Sequence, residues 1–267
     1  MLILINIDVT GLCNETCNYC PRSHGYPNTK DYMSVELFQK FVDDVNAEGF
    51  TGHICWSGRG ENSLHPKFEE MVKILHHSNR KYKTRILTNG YKLKQRKWLF
   101  KRFDNVIMNT YTHRGDFQWR KEYFTHTMAG HPVQHRFWDQ SVKPEEWAVT
   151  PIQVQNRIEV YKEIIATDNP AINLPCSLPA TKAWIHWDGT IQLCCNDWTD
   201  TNIFGNIKDD NIFEVWRTHP KLREMRENLM KGNRSLYNVC SRCNKKHSKL
   251  EHHRWRIINE NNQLLHT

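Results

Sequence analysis

The sequence predicts an α/β fold in which parallel strands carry helices on their outer side, followed by a smaller unit of a β-hairpin and helices. Two observations predict it. Short apolar runs alternate with segments of helical apolar spacing through the first ~110 residues, and the pattern changes after residue 171, where hairpin signals precede two helical segments. Alternating strand and helix signals are typical of parallel sheets, because the chain must cross back between neighbouring strands.

The strand and helix boundaries follow from apolar spacing and from capping residues. Ser34 is a plausible N-cap for a helix with apolar residues at helical spacing from 35 to 45, and Pro66 suits the first turn of another helix. Asn89-Gly90 is a turn signal after a short strand. We predict strands at 2–9, 53–57, 84–88, 105–109 and 133–138, and helices at 35–45, 66–75, 93–103, 155–166, 212–216 and 220–230.

The C-terminal third has a different organisation. The apolar runs 184–187 and 190–194 flank Asp188-Gly189, which predicts a β-hairpin with a two-residue turn. The periodicity is weak over 113–155, and the tail is basic and polar. We therefore divide the chain into units 1–170 and 171–250 and a basic tail 251–267.

Composition excludes several classes of protein. The chain has 267 residues, 39% of them hydrophobic, and a net charge of +8. No run approaches the roughly 18–20 apolar residues that a membrane span needs. The N-terminus has no secretory signal pattern, which predicts a cytoplasmic protein that does not bind a membrane. The positive charge favours acidic or phosphate-bearing partners, so nucleic acid stays open as a partner.

The chain has nine cysteines, and apart from Cys55, which lies in a predicted buried strand, they form groups whose close spacings indicate metal sites before disulfides. The first group, C-x3-C-x2-C, is Cys13, Cys17 and Cys20, directly after the first predicted strand. Thiolates suit iron–sulfur clusters and zinc. Three ligands leave one coordination position open, unless His24 completes a structural zinc site.

A second group of cysteines has the spacing C-x12-G-x4-C followed by C-x2-C. Its members are Cys176, Cys194, Cys240 and Cys243, with Cys195 as an alternative to Cys194. Spacing from the hairpin glycine favours Cys194. Four thiolates fit zinc or an iron–sulfur cluster equally well.

The first group, in its position after the first strand and with an aromatic residue at 19, resembles the radical S-adenosylmethionine (SAM) superfamily. The resemblance implies a partial (β/α) TIM-like barrel and a [4Fe–4S] cluster held by Cys13, Cys17 and Cys20. It implies that the cluster binds and cleaves SAM to a 5′-deoxyadenosyl radical, which abstracts a substrate hydrogen. Such an enzyme needs an external one-electron reductant of the flavodoxin or ferredoxin type.

Further matches to that superfamily place the SAM contacts. The resemblance implies that Tyr19 lies near the adenine and that Gly58-Arg59-Gly60-Glu61 corresponds to a Gly-Gly-Glu motif, from which Arg59 departs. Glycines allow close backbone approach to a ligand, and the Glu61 carboxylate can accept the methionine ammonium. Two further polar residues at strand ends, Thr88 and Asn109, complete the cofactor-binding set.

The later cysteines are similar to the auxiliary-cluster domains of the superfamily, known as SPASM in the full form and twitch in the shortened form. No cysteine follows Cys243, so the match is to twitch, which has a small β-hairpin/α fold and one auxiliary [4Fe–4S] cluster. The resemblance is strongest to twitch-bearing alcohol dehydrogenases of aminocyclitol biosynthesis. It implies oxidation of a small polar sugar or cyclitol alcohol, with electron transfer to the auxiliary cluster.

Several alternatives stay open at this point. The radical reaction could modify a peptide or protein side chain, or a nucleoside. The chain could instead be a non-catalytic iron–sulfur electron carrier or a zinc-dependent nucleic-acid-binding protein. Residues that could bind substrate or remove its proton lie in the middle segment, and they are Arg120, His131, Arg136 and Asp139.

Overall fold

The computed structural model describes residues 1–17, 20–77, 79–111, 130–138 and 171–243, with residues 122, 126 and 128. Within these residues eight strands form one sheet, in the order β5-β4-β3-β2-β1-β6-β7-β8. The strands are β1 (Leu4–Ile7), β2 (His53–Trp56), β3 (Lys83–Thr88), β4 (Asn105–Tyr111), β5 (Val133–Trp138), β6 (Lys182–Ile185), β7 (Thr190–Gln192) and β8 (Ile203–Asn206).

The helices of the described residues follow the strands in alternation at first and then cluster near the C-terminal end. They are α1 (Val35–Ala47), α2 (Phe68–Leu75), α3 (Leu93–Phe100), α4 (Leu178–Thr181), α5 (Ile212–Thr218), α6 (Pro220–Met230) and α7 (Asn238–Ser241). Short 3₁₀ turns occur at Pro21–His24, Asn62–Leu64 and Arg234–Leu236.

The sheet is parallel from β5 to β6 and antiparallel from β6 to β8. β1 lies between β2 and β6, so the C-terminal strands continue the sheet begun by the N-terminal ones. The fold is therefore an α/β partial barrel that its C-terminal hairpin extends. The proposed boundary at residue 170 lies outside the described residues, and the division into units stays a prediction.

The core fills the space between the sheet and the helices α1, α2 and α3. The fully buried Trp56 of β2 packs edge-on against three phenylalanines, with ring centroids 5.4 to 5.5 Å apart. These phenylalanines are Phe38, Phe68 and Phe103, from α1, α2 and the turn before β4. Edge-to-face pairs add to the stabilisation from burial alone. This packing fixes the strands whose carboxyl ends carry the predicted site residues.

The predicted strands and helices are confirmed wherever the structure describes them. Ser34 caps α1 by accepting a hydrogen bond from the amide of Leu37 at 3.1 Å. The predicted helix 155–166 and the tail 251–267 lie outside the described residues. No helix in the described part of the chain is both long and apolar enough to cross a membrane.

The predicted two-residue turn of the C-terminal hairpin is wrong. The amide of His186 donates to the carbonyl of Thr190, so the turn has three residues, of which Gly189 is the last. Gly189 has φ of +88°, the left-handed conformation that a three-residue hairpin loop needs at this position. The turn therefore takes in Trp187 as well as Asp188 and Gly189.

Candidate active site and auxiliary metal centre

The first cysteine loop leaves β1 and is held in place by side chains that follow it in the sequence. Asn28 binds the backbone of Cys13 at both ends, accepting from its amide and donating to its carbonyl, each at 2.9 Å. The guanidinium of Arg22 donates to the carbonyls of Gly11, Pro27 and Arg59. The loop thus has a defined shape before any metal is considered.

The three thiols of this loop differ in burial. Cys17 is buried, whereas Cys13 and Cys20 are partly exposed. Burial raises the pKa of Cys13 to about 12, with a smaller contribution from the Glu61 carboxylate. A coordinated metal deprotonates such a thiol, so binding releases a proton. Tyr19, predicted to lie near the adenine, is outside the described residues, and so is the side chain of His24.

Glu61 connects the loop after β2 with the end of β3. Its Oε1 accepts from the Ser63 amide and hydroxyl and from the Thr88 hydroxyl, at 3.2, 2.5 and 2.7 Å. Its Oε2 accepts from the amide of Asn89 at 2.7 Å. Burial raises the pKa of Glu61, and these donors oppose the shift. Among the described residues Oε1 accepts three bonds and Oε2 only one, so Oε2 has the greater remaining capacity to accept a donor.

The glycines of the loop after β2 are explained by packing within the chain. A Cβ at Gly58 would lie 2.2 Å from the Asp8 side chain, and one at Gly60 would lie 2.2 Å from the carbonyl oxygen of Thr10. These distances are far below contact, so side chains are excluded at both positions. The expectation that the glycines serve the approach of a ligand is not needed to explain them.

Polar groups at the same edge of the sheet fit a polar cofactor beside the thiols. The Asn89 amide group donates to Oδ1 of Asn14, at 3.0 Å, within the cysteine loop. Nδ2 of Asn14 is buried and has no hydrogen-bond partner among the described residues. Asn109 is half-buried in β4. An unsatisfied buried donor is costly, and a carboxylate or sulfide beside the thiols would satisfy it.

The second group of cysteines surrounds one cavity. Its lining includes the thiols of Cys176, Cys194, Cys240 and Cys243, and Cys195 is not part of that lining. Burial raises the pKa of Cys194 and of Cys240, and the neighbouring thiols raise both further. The remaining wall is mainly apolar, formed by Leu178, Pro179, Leu193, Leu229 and Val239 with Asn196 and Arg234.

The loop after β7 is ordered by its own side chains. The Asp197 carboxylate accepts from the amide and hydroxyl of Thr201 and from the amide and side chain of Asn202, at 2.9 to 3.1 Å. Nδ2 of Asn196 donates to Sγ of Cys243 at 3.4 Å. A donor of this kind tunes the electron density on a metal-bound sulfur.

The arrangement of the cysteine thiols fits iron–sulfur clusters better than single metal ions such as Zn²⁺. No three Cys, His, Asp or Glu side chains in the described ranges converge closely enough to hold one metal ion. A single Zn²⁺ needs each sulfur at about 2.3 Å, whereas an iron–sulfur cluster bridges thiolates that stand around a cavity. The four thiols around one cavity are such a set.

A buried charged group links the barrel to the C-terminal strands. His186 follows β6 and lies between Asp8, with Nδ1 to Oδ2 at 3.1 Å, and Asp200, with Nε2 to Oδ1 at 3.5 Å. Burial alone would lower the pKa of His186, but the two carboxylates outweigh it and raise that pKa to about 10. His186 is therefore an imidazolium at neutral pH.

Two family models match the chain. The model of the radical SAM superfamily matches residues 7–113, and that of the SPASM iron–sulfur cluster-binding domain matches residues 176–244. The matched ranges include both groups of cysteines and the residues of the Glu61 site. The chain belongs to the radical SAM superfamily. It is a radical SAM enzyme, and its cofactors are SAM and iron–sulfur clusters.

The chain is also similar to a curated relative in sequence and to solved structures in fold. The SAM-dependent 2-deoxy-scyllo-inosamine dehydrogenase of Niallia circulans is 23% identical over 247 residues, which cover 90% of this chain and 92% of that protein. The structure of BtrN in complex with AdoMet and 2-DOIA matches with a TM-score of 0.73 and 21% identity, covering 92% and 94% of the two chains. Streptococcus suis SuiB, bound to precursor peptide SuiA, matches at 0.57 and 13%, covering 98% and 74%.

Not every candidate from the sequence lies in the radical SAM site. His131 precedes β5 and contacts the backbone of Phe103, which precedes β4. It therefore lies at the amino ends of the strands, whereas the cysteine loop and Glu61 lie at the carboxyl ends, so its expected substrate role is wrong. Arg120 and Asp139 are outside the described residues, and Arg136 lies in β5.

The sequence analysis also missed side chains that shape the site. Asn28 and Arg22 hold the cysteine loop, and Asn196 donates to a thiol of the second group. Each acts through one to three hydrogen bonds to a backbone group or a thiol, and such contacts leave no motif in the sequence. The one feature of the sequence that could have indicated such a role is the short distance between Asn28 and the C-x3-C-x2-C segment.

Proposed function

We propose that this radical SAM enzyme is a dehydrogenase that oxidises a secondary alcohol of a small sugar or cyclitol to a ketone. Cys13, Cys17 and Cys20 hold the SAM-binding [4Fe–4S] cluster, and Cys176, Cys194, Cys240 and Cys243 hold an auxiliary one. The observation that carries the proposal is the complete set of four thiols around one cavity. A fully ligated cluster has no free iron for substrate and suits electron transfer.

The relative from Niallia circulans supports the choice of substrate class, because its similarity spans nearly the whole of both chains. When bound, SAM and its cluster supply a radical that removes a hydrogen atom from carbon. Overall, the alcohol and SAM become ketone, 5′-deoxyadenosine, methionine and a proton. One electron enters from an external flavodoxin- or ferredoxin-type reductant, and one leaves through the auxiliary cluster.

The residues of the chain bind and orient the cofactor in this proposal. When SAM is bound, Oε2 of Glu61 would accept from its methionine ammonium, while the bonds from Thr88 and Asn89 fix the carboxylate. Nδ2 of Asn14 would donate to the methionine carboxylate, and Asn109 would contact the ribose. The protein thereby aligns the reactive carbon with the substrate, which is its main contribution in a cofactor enzyme.

The test is anaerobic reconstitution followed by dithionite, SAM and a panel of cyclitols and aminocyclitols. We expect wild type to form both 5′-deoxyadenosine and a ketone. Cys17→Ala should form neither, and Cys240→Ala should form 5′-deoxyadenosine without ketone. A wild type with both clusters that forms no 5′-deoxyadenosine would contradict the proposal in favour of an electron carrier. Deoxyadenosine with no oxidised cyclitol, but with a modified peptide or nucleoside, would overturn the substrate class.

A further inference from the structure

Arg59 departs from the Gly-Gly-Glu pattern of the superfamily. The contacts of its side chain explain why an arginine stands at this position. The residue lies in the loop after β2, two positions before Glu61, and is only 6% exposed. A buried arginine is expensive unless its guanidinium donors are matched by acceptors. The groups that accept its hydrogen bonds therefore indicate which segments of the chain Arg59 holds together.

The guanidinium of Arg59 is bound mainly by residues 192–200, here called the auxiliary-cluster loop, which carries Cys194, one of the four auxiliary thiols. It forms a two-pronged pair with the Asp200 carboxylate at 2.5 and 2.9 Å. It also donates to the side chain of Gln192 at 3.0 Å and to the carbonyl of Asp197 at 2.8 Å. Gln192 and Asp197 stand two residues before and three residues after Cys194.

The Arg59 side chain also contacts the segment that follows the first group of cysteines, here called the SAM-cluster loop. Arg59 donates to the hydroxyl of Tyr26 at 2.5 Å, and its guanidinium lies 5.4 Å from the ring centroids of both Tyr26 and Trp198. Tyr26 follows Cys20 by six residues, and Trp198 follows Cys194 by four. The guanidinium thus contacts an aromatic ring from each cysteine loop.

The backbone around Arg59 and Asp200 is shaped for this contact. The Arg59 amide donates to Oδ2 of Asp8 at 3.1 Å, and its carbonyl accepts from Nε of Arg22 at 2.8 Å. Asp200 has φ of 54°, a left-handed conformation that is unfavourable for most residues with a side chain. The conformation persists where its surroundings fix it, here between the Arg59 guanidinium and the imidazolium of His186.

We infer that Arg59 is a positioning residue that fixes the auxiliary-cluster loop against the SAM-cluster loop. The inference rests on the proposed function for what the two loops hold. A planar fork matches a carboxylate with two parallel bonds while its faces contact rings, and lysine offers neither feature. The distance and orientation between the two clusters are then set by one side chain in the SAM-binding motif.

The test compares Arg59→Ala and Arg59→Lys in the reconstituted protein with Arg80→Ala as the matched control. Arg80 also forms a two-pronged pair, with Asp104, and lies over a tyrosine ring, but it contacts neither cysteine loop. Two readouts are used, hydrogen exchange resolved by peptide and pulsed EPR of the magnetic interaction between the two reduced clusters. Neither readout requires SAM cleavage.

We expect both Arg59 variants to accelerate exchange in segments 21–28 and 192–201 by about tenfold or more, a local opening, and to alter the interaction between the clusters. Arg80→Ala should do neither. If Arg59→Ala does not fold, the same measurements on Arg59→Lys and Asp200→Asn test the inference. We expect the same localised changes in exchange and in the interaction between the clusters. Exchange that stays unchanged, that rises equally throughout the chain, or that is restored by lysine would overturn the inference.

The proposed function can fail separately from this inference. A wild type that produces no 5′-deoxyadenosine contradicts the catalytic proposal and leaves the exchange and EPR comparison intact. Conversely, normal 5′-deoxyadenosine formation with unchanged exchange in the Arg59 variants contradicts the positioning role alone.

Discussion

Oδ2 of Asp8 lies 3.1 Å from Nδ1 of His186, although 178 residues separate them in the sequence. Asp8 follows β1, and His186 follows the neighbouring strand β6. Both side chains are almost completely buried. The pair therefore ties the carboxyl end of the barrel to the hairpin that leads to Cys194.

The first prediction concerns pH. The folded-state pKa of His186 is raised from 6.5 to about 10, so its stabilisation is complete below about pH 6.5 and is lost as the pH rises towards 10. We expect His186→Gln to lower the free energy of unfolding by about 3 kcal/mol at pH 6, because it leaves the buried Asp8 carboxylate without its imidazolium partner. The difference from wild type should shrink as the pH approaches 10.

Denaturant unfolding at several pH values measures this difference. His76→Gln is the matched control, because burial lowers the pKa of His76 to about 4 and that histidine does not titrate between pH 7 and 10. Its effect on stability should be constant over that range. An effect of His186→Gln that is equally constant would show that the imidazolium is not what stabilises the fold.

The second prediction concerns metal retention in the first cysteine loop. Asn28→Ala removes both hydrogen bonds to the backbone of Cys13. Partners that orient metal ligands are worth about 10- to 100-fold in metal affinity, so we expect that much faster loss of iron to a chelator. Asn46→Ala, which removes an exposed amide that contacts His77, is the control. Equal rates for the two variants would refute the role of Asn28.

The third prediction concerns the auxiliary cluster potential. Asn196→Leu removes the donor to Sγ of Cys243 at similar volume. A donor stabilises the reduced, more negative cluster, so we expect the potential to fall on the order of 60 mV, which is one tenfold change in a one-electron equilibrium. Redox titration followed by EPR measures it, and the SAM-side cluster serves as internal control. A rise, or an equal shift of both potentials, would argue against this contact.

The fourth prediction separates two adjacent cysteines. Cys194 lines the cavity with three other thiols, whereas Cys195 does not. We expect Cys194→Ser to lose the auxiliary cluster, about half of the iron if each site holds a [4Fe–4S] cluster, and Cys195→Ser to retain it. Iron analysis and Mössbauer spectroscopy of the two variants provide the comparison. The reverse pattern would assign the ligand role to Cys195.

The sequence predicted those features that depend on local spacing. Apolar periodicity located the strands and helices, and Ser34 was identified as a cap because its partner Leu37 is three residues away. The hairpin turn was one residue too short, since Asp-Gly suits a two-residue loop as well as the end of a three-residue one. Both groups of cysteines were found because their spacing is itself the signal.

Features that depend on distant contacts could not be predicted. The role of Arg59 requires acceptors 133 to 141 residues away, and sequence alone gave it only as a departure from a motif. The contacts that exclude a Cβ at Gly58 and Gly60, with Asp8 and the carbonyl of Thr10, were not predicted either, and the cofactor role of the two glycines stays a prediction. Such reasons become visible only when the chain is folded.

The position of β1 between β2 and β6 has a consequence for biosynthesis. Pairing of residues 4–7 with 182–185 closes late, because the entropy of such a long loop opposes it. Until residue 185 has left the ribosome, β1 has an open edge of the kind that recruits other chains. A fragment ending at residue 170 would keep that edge open and aggregate.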